Sequence, residues 1–392
     1  MIKKLSILLT LVLIAGCLTS CNKPSPLESN PHNAGNEFSS YVKLDQENLK
    51  PEEYYSSVRQ NESGIATYLE TPYGMYFMSI NFEYCIYYSE KGNTKYVKLC
   101  NRPDCNHKTE DCNAYTGGYY IGYYKDKIYY TSGNSINCMN MDGTNHMGLK
   151  TLYDYPDPNF GYFHNGYFYY LIIKGGTVGS PGNIDNNLYR VKIDDNSKPE
   201  IVLTDDIILD ISMFVVVGDT IYLYILNSNT WGCYLYSYST KTNTLKKITD
   251  YWFSIGAAYI NENYGYCYRA NEGIYKYNVA TNKITLEKEI KFDNHGECVV
   301  KFLPDYIFLM HFTSEDRRVN YAKNQELYIY DWDYNLVDSL IFDKVPDGEY
   351  GGYLTYSDDY IIFSSDYRNE PDYYIDKSEI GTGNLMFHKI ED

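Results

Sequence analysis

The sequence predicts an all-β protein folded as a seven-bladed β-propeller, and three observations carry that prediction. Tyrosine occurs 48 times in 392 residues, and its ring suits a pleated, half-buried surface while the hydroxyl reaches water. One short aromatic strand recurs seven times, at intervals of 40 to 54 residues. Propeller blades repeat at about 40 to 50 residues.

The recurring strand reads YGMYFMS from Tyr73, DKIYYTS from Asp126, GYFYYLI from Gly166, DTIYLYI from Asp219, NYGYCYR from Asn263, DYIFLMH from Asp305 and DYIIFSS from Asp359. Its third position is Met75, Ile128, Phe168, Ile221, Gly265, Ile307 and Ile361. A companion strand follows as NLYRVKIDD, CYLYSYSTKTN, GIYKYNVATN, ELYIYDWDYN and, last, NLMFHKIED. In it Tyr189, Val191 and Ile193 alternate with Leu188, Arg190 and Lys192, and Tyr275, Tyr277 and Val279 alternate with Ile274, Lys276 and Asn278. Such a period of two marks a strand with distinct faces, and polar turns such as MDGTN and VATN end these strands. A single four-stranded sheet of this kind cannot bury its own apolar residues, whereas radial stacking buries them between neighbours. Six or eight blades fit the same pattern, because the first unit matches it least.

In chain order, residues 1–20 read as a lipoprotein signal peptide: Lys3 and Lys4 precede an apolar run from Leu5 to Gly16, the layout of a secretory signal. The run is shorter than the about 20 apolar residues of a membrane span. Cysteines follow small residues in IAGC and LTSC, both lipobox-like, and Cys21 is the expected lipidation site because the polar chain starts immediately after it; Cys17 is the alternative. Residues 21–40, rich in Asn, Ser and Pro, have little to bury and read as a flexible tether. Residues 41–392 form the propeller domain, with a Cys/His loop at 100–112. The last unit is read as strands from Gly351 to Tyr356, Tyr360 to Ser365 and Asn384 to Lys389, one strand short. The segment YVKLD, Tyr41 to Asp45, is therefore expected to complete it.

Acidic residues number 51 against 34 Lys plus Arg, a formal net charge of −17. Nucleic acid and anionic lipid surfaces are poor partners for such a chain, since both require concentrated positive charge. No Gly-x-Ser-x-Gly elbow and no His-Glu-x-x-His helix occurs. DWDYN places Asp331, Asp333 and Asn335 at calcium-like spacing without the glycine and distal glutamate of a calcium loop, so it reads as a turn. Cys85, Cys138, Cys233, Cys267 and Cys298 fall within strand patterns and read as small buried hydrophobes.

In LCNRPDCNHKTEDCNAY, Leu99 to Tyr115, three cysteines and a histidine share one loop. Cys100, Cys105, His107 and Cys112 make up a tetrahedral zinc set, although C-x4-C-x-H-x4-C is not a usual finger spacing. A closed set of four protein ligands would be structural, stiffening a loop with too few apolar residues to order itself. Outside the cytoplasm a disulfide is the competing reading, with a third thiol left to pair with Cys85 or Cys138.

In an up-and-down blade the first–second and third–fourth connections leave one face, and the remaining connections leave the other. Connections on the first face are short here. The long ones, Cys100 to Gly117, Tyr153 to Asn159, Lys174 to Asn187, Thr313 to Gln325, Phe342 to Tyr350 and Tyr367 to Gly383, all fall on the other. That side is the expected recognition face, since loops on a rigid scaffold carry binding. Its candidate ligand-binding residues are Tyr153, Tyr155, Trp231, Trp252, Arg317, Arg318, Arg368, Tyr373 and Tyr374. Rings stack on sugars or peptides and guanidinium groups hold carbonyls or carboxylates.

The repeat resembles TolB-like and YWTD-like propellers, whose blades carry LYxxxxDG-type turns; INCMNMDGTNHMGLKTLY is the nearest copy. It looks especially like a group of Gram-positive lipoproteins that carry an LCxxPxCxH segment between blades, here LCNRPDCNH. The YWTD tetrapeptide itself does not occur. What the resemblance implies is fold, since propellers host many unrelated functions. The expected function is that of an extracytoplasmic lipoprotein, anchored to the cell membrane, binding a glycan or peptide on its long-loop face. Two alternatives use the same face: a carbohydrate-active enzyme working through paired carboxylates such as Asp154, Asp157, Glu315, Asp316, Asp347 and Glu349, and a structural partner in an envelope complex.

Overall fold

A computed structural model describes residues 59–390, apart from 61–65, 72, 80–83, 108, 119, 153–155, 175–182, 228–231, 255–257, 261–262, 270, 292–296, 304, 313–324, 343–353, 357–358 and 364–372. Cys21, the signal and tether segments and the segment from Tyr41 to Asp45 lie outside the described residues.

Seven small antiparallel sheets form a ring, the arrangement of a seven-bladed β-propeller. Their second strands are Gly74–Ser79, Lys127–Ser132, Tyr167–Lys174, Thr220–Asn227, Tyr264–Arg269, Ile307–Phe312 and Tyr360–Phe363. Each holds one of the seven anchor positions read from the repeat, Met75 through Ile361. Sheets one and three have a fifth strand: Arg59–Gln60 pairs with Ala66–Thr71, and Asn183–Ile184 pairs with Tyr167–Lys174.

The alternation of side chains builds the ring. In Lys127–Ser132, Ile128 and Tyr130 pack toward the first blade while Tyr129 packs toward the third. Phe168, Tyr170 and Ile172 face the second blade, and Tyr169 and Leu171 face the fourth. Ile307 and Leu309 face the fifth blade, and Phe308 and Met310 the seventh. The same rule holds in the companion strand, where Tyr189, Val191 and Ile193 line one interface and Leu188 the other. Each second strand is thus buried on both faces, at about 1.5–3 kcal/mol for every large apolar side chain removed from water. Six apolar clusters occupy the six successive interfaces from blade one to blade seven. At the seventh junction Gly92 of the first blade lies beside the Asp359 carboxylate of the last.

The seventh blade corrects the expectation drawn for it. Its strands are Leu354–Tyr356, Tyr360–Phe363, Tyr373–Asp376 and His388–Lys389, in that order. The terminal NLMFHKIED segment is therefore the fourth strand, and the last blade is not one strand short. The third strand is only four residues long and lacks the motif of its counterparts, so no local pattern in the sequence marks it. A second correction follows. The connection after Asp376 leaves on the short-turn face, contains the 3-10 turn Lys377–Glu379, and is capped by Asp376, whose carboxylate accepts from Ser378 N–H at 2.8 Å. That face therefore carries one long connection of its own.

Candidate functional site

The loop from Leu99 to Thr116 joins the outer strand of blade one to the inner strand of blade two. Both of its ends are tied to one residue of the strand Cys85–Glu90: Leu99 N–H donates to the Ile86 carbonyl at 2.9 Å, and Ile86 N–H donates to the Ala114 carbonyl at 2.8 Å. Thr116 N–H adds a bond to the Tyr84 carbonyl. Within these ends the chain makes tight turns, with Cys105 N–H on the Arg102 carbonyl and Cys112 N–H on the Thr109 carbonyl. Asn, Asp, Pro and Thr supply such turns readily. Leu99, Cys100, Cys112 and Ala114 point inward and join the apolar cluster between blades one and two.

These turns bring Cys100, Cys105, His107 and Cys112 together: one ligand atom from each lies within 4.8 Å of all the others. A Zn–S bond of about 2.3 Å places tetrahedral sulfurs about 3.8 Å apart, so the set is compact enough to close on one ion. His107 takes φ 56, a left-handed conformation that a residue with a Cβ adopts at a cost of about 1–2 kcal/mol. Its N–H points at Cys105 Sγ (3.4 Å) and its Nδ1 lies 3.5 Å from Cys112 Sγ. Ala114 N–H donates to Cys112 Sγ at 3.4 Å. Such N–H to sulfur bonds delocalise thiolate charge in metal sites. Two cations sit at the rim: Lys98 Nζ donates to the His107 carbonyl at 3.0 Å, and Arg102 donates to the Asp111 carbonyl at 2.7 Å.

The thiols differ electrostatically. The His107 N–H holds the Cys105 thiol below its usual value, with neighbouring thiols and Arg102 acting in the same direction. Burial pushes Cys112 up to about 12. A divalent cation overrides such a penalty, since a coordinating thiol is deprotonated outright. The donor set therefore suits a borderline-soft ion such as zinc, and Cys100, Cys105 and Cys112 are not disulfide-bonded.

Three groups that sequence reasoning did not single out attach this loop to blade two. His146 Nε2 lies 2.8 Å from the Asn113 carbonyl and its Nδ1 lies 2.7 Å from the Tyr130 hydroxyl. Carbonyl oxygens only accept, so Nε2 carries the proton and Nδ1 accepts from Tyr130. His146 and Asn113 are 33 residues apart, and no spacing pattern links them; the turn signal around Gly143 was the only local hint.

Of the expected ligand-binding residues, the structure describes the side chains of Tyr373 and Tyr374 alone. Tyr153, Tyr155, Trp231, Arg317, Arg318 and Arg368 lie outside the described residues, and Trp252 is placed by backbone alone in the strand Thr244–Ser254. Tyr373 and Tyr374 are strand residues rather than loop residues. Tyr373 is buried in the cluster between blades six and seven, while Tyr374 meets Tyr360 edge-on and stacks on His388 at 4.9 Å. Asp331 forms the turn read from DWDYN, accepting from the N–H groups of Asp333 and Asn335. Cys85, Cys138, Cys233 and Cys267 are buried, as read from the strand pattern.

No family model and no curated protein matches the chain. Among solved structures it is similar to the N-terminal domain of Nup159, at 13% identity over 65% of this chain and 72% of that one, with a TM-score of 0.41. It is also similar to a prolyl endopeptidase structure, at 12% identity over 86% of this chain, with a TM-score of 0.48. The chain spans half the length of the latter.

Proposed function

We propose that this chain is a membrane-anchored, extracytoplasmic lipoprotein whose propeller binds a glycan or a peptide on the face that carries the long connections. The observation that supports this reading most is the loop from Leu99 to Thr116. A long polar connection between blades one and two is pinned at both ends to Ile86 and carries four convergent metal-type donors. A structural zinc held by Cys100, Cys105, His107 and Cys112 stiffens it. Rigid loops on a rigid scaffold are what recognition requires, because the ordering cost is met before the ligand arrives.

The test is a screen of the full chain in detergent against glycan and peptide arrays, beside the Trp231→Ala/Trp252→Ala double variant. A ligand that binds the wild type at least about tenfold more tightly than the variant is expected, in line with the weight of aromatic anchors at interfaces. Equal binding by both proteins removes the aromatic face from the reading. Metabolic labelling with a fatty acid tests the anchor: label is expected on the wild type and lost from Cys21→Ser, and persistence of the label in that variant would move the site to Cys17.

A further inference from the structure

We infer that the zinc site clasps blades one and two together, with His146 as the residue that transmits the clasp. This inference rests on the zinc reading of the Cys/His loop and is independent of what the long-loop face binds.

The loop touches both blades. On the first, Leu99 and Ala114 share Ile86 as backbone partner. On the second, Asn113, adjacent to the ligand Cys112, is held through its carbonyl by His146, and His146 is held by Tyr130 of the strand Lys127–Ser132. Gly143 of the same turn comes so close to Leu99 that a Cβ on it would lie 2.3 Å from the Leu99 carbonyl oxygen. Tyr76 of blade one completes the seam from the other direction, donating to the Met141 carbonyl at 3.0 Å. The residues under this seam, Met78, Ile86, Ile121 and Met139, are fully buried in one cluster.

The loop itself contributes little apolar area: among its described residues Leu99, Cys100, Cys112 and Ala114 are buried there, with Cys105 and Tyr115 partly buried against them. Its order must come from elsewhere. Four ligand bonds to one cation restrict a segment that spans the seam, and a structural zinc contributes its binding free energy to the folded state. Zinc with three thiolates and one neutral imidazole leaves the group one negative charge, beside which Lys98 and Arg102 are already placed. His146 is a positioning residue. It fixes the backbone at Asn113, the residue next to the ligand Cys112.

The experiment uses the full chain purified in detergent without added chelator. One zinc per chain is expected by elemental analysis, and cobalt exchange is expected to give the visible absorption of a tetrahedral thiolate site. Cys105→Ser, at a half-exposed position, is expected to lose that spectrum while the far-ultraviolet circular dichroism stays β-type. His146→Ala is expected to keep the spectrum with metal affinity lowered about tenfold, the usual scale for outer-shell partners. Hydrogen exchange then reads the clasp: on chelation, amides of Ile128 to Tyr130 and Cys138 to Met141 should lose protection, and those of Phe308 to Met310 should keep it. A chain that binds no zinc, or that shows a Cys100, Cys105 or Cys112 disulfide under native conditions, overturns the metal site. Bound zinc whose removal loosens only Leu99 to Tyr115 overturns the clasp alone. Neither result depends on the array screen, so the recognition reading stands or falls separately.

Discussion

Two interfaces of the same ring are closed by different chemistry. Between blades five and six, Trp332 projects from a turn of blade six and lies 4.8 Å from the Tyr266 ring and 6.2 Å from Phe302, with its indole N–H on the Leu303 carbonyl at 3.2 Å. Lys288 of blade five reaches the Tyr334 carbonyl of the same turn. Between blades one and two, the corresponding rim is occupied by the Leu99 to Thr116 loop, with two cysteines, a leucine and an alanine buried. An aromatic side chain buries 150–250 Å² and needs no further help. Small side chains on a polar loop bury much less, and in the proposed zinc site a cross-link would offset the loop's conformational entropy instead. One repeat can thus be sealed by side-chain area or, on the proposed zinc reading, by a ligand set, which would make that seam dependent on an external ion.

The largest test of this contrast is Leu309→Ala. Leu309 is fully buried between blades five and six, and its truncation should cost about 2–5 kcal/mol. Denaturant unfolding of the variant with and without chelator should show the same loss in both conditions, because the two seams share no side chain. A loss that depends on chelator would show the interfaces to be coupled.

Acid should single out a third interface. His164 packs beside Tyr162 near Phe214, between blades three and four, and burial lowers its pKa from 6.5 to about 4. Between those values the unfolded chain binds a proton that the folded chain refuses, so stability rises with pH across the window. It should therefore fall by about 2–3 kcal/mol as pH drops from 6.5 to about 4, then level off. Unfolding midpoints measured across this range should be flatter for His164→Phe than for wild type.

Gly143→Ala sharpens the contrast at the first seam. Gly143 takes φ 78, and its added Cβ would meet the Leu99 carbonyl. A loss of more than about 1 kcal/mol is expected, with weakened cobalt absorption because Leu99 leads directly into Cys100. An unchanged spectrum would mean that the turn and the ligand loop move independently. The smallest effect is expected from Trp332→Phe, which keeps most of the ring packing and leaves the Leu303 carbonyl without its indole donor. About 1 kcal/mol should be lost, measurable by denaturant titration.

The repeat was legible because period-two alternation and blade spacing are local and recur seven times. Every anchor from Met75 to Ile361 lies in a second strand, and Tyr275, Tyr277 and Val279 face one neighbour while Ile274 faces the other. The third strand of the seventh blade was not legible because Tyr373–Asp376 is too short to repeat a pattern, and its pairing with Tyr360–Phe363 is what makes it a strand. The four donors were legible as a set because they lie within one loop. Their link to His146 and Tyr130 was not, since hydrogen bonds across 16 and 33 residues leave no periodicity.

By itself, the sequence determined that this chain stacks small β sheets and that Cys100, Cys105, His107 and Cys112 share one connection, because both facts are written in residue types at short range. The tertiary structure decided which strand completes the last blade, that Tyr373 is core, and that the ligand loop lies across a seam between two blades. Those outcomes depend on which distant residues meet when the ring closes, and side-chain identity does not specify such meetings until the backbone has brought the partners within reach.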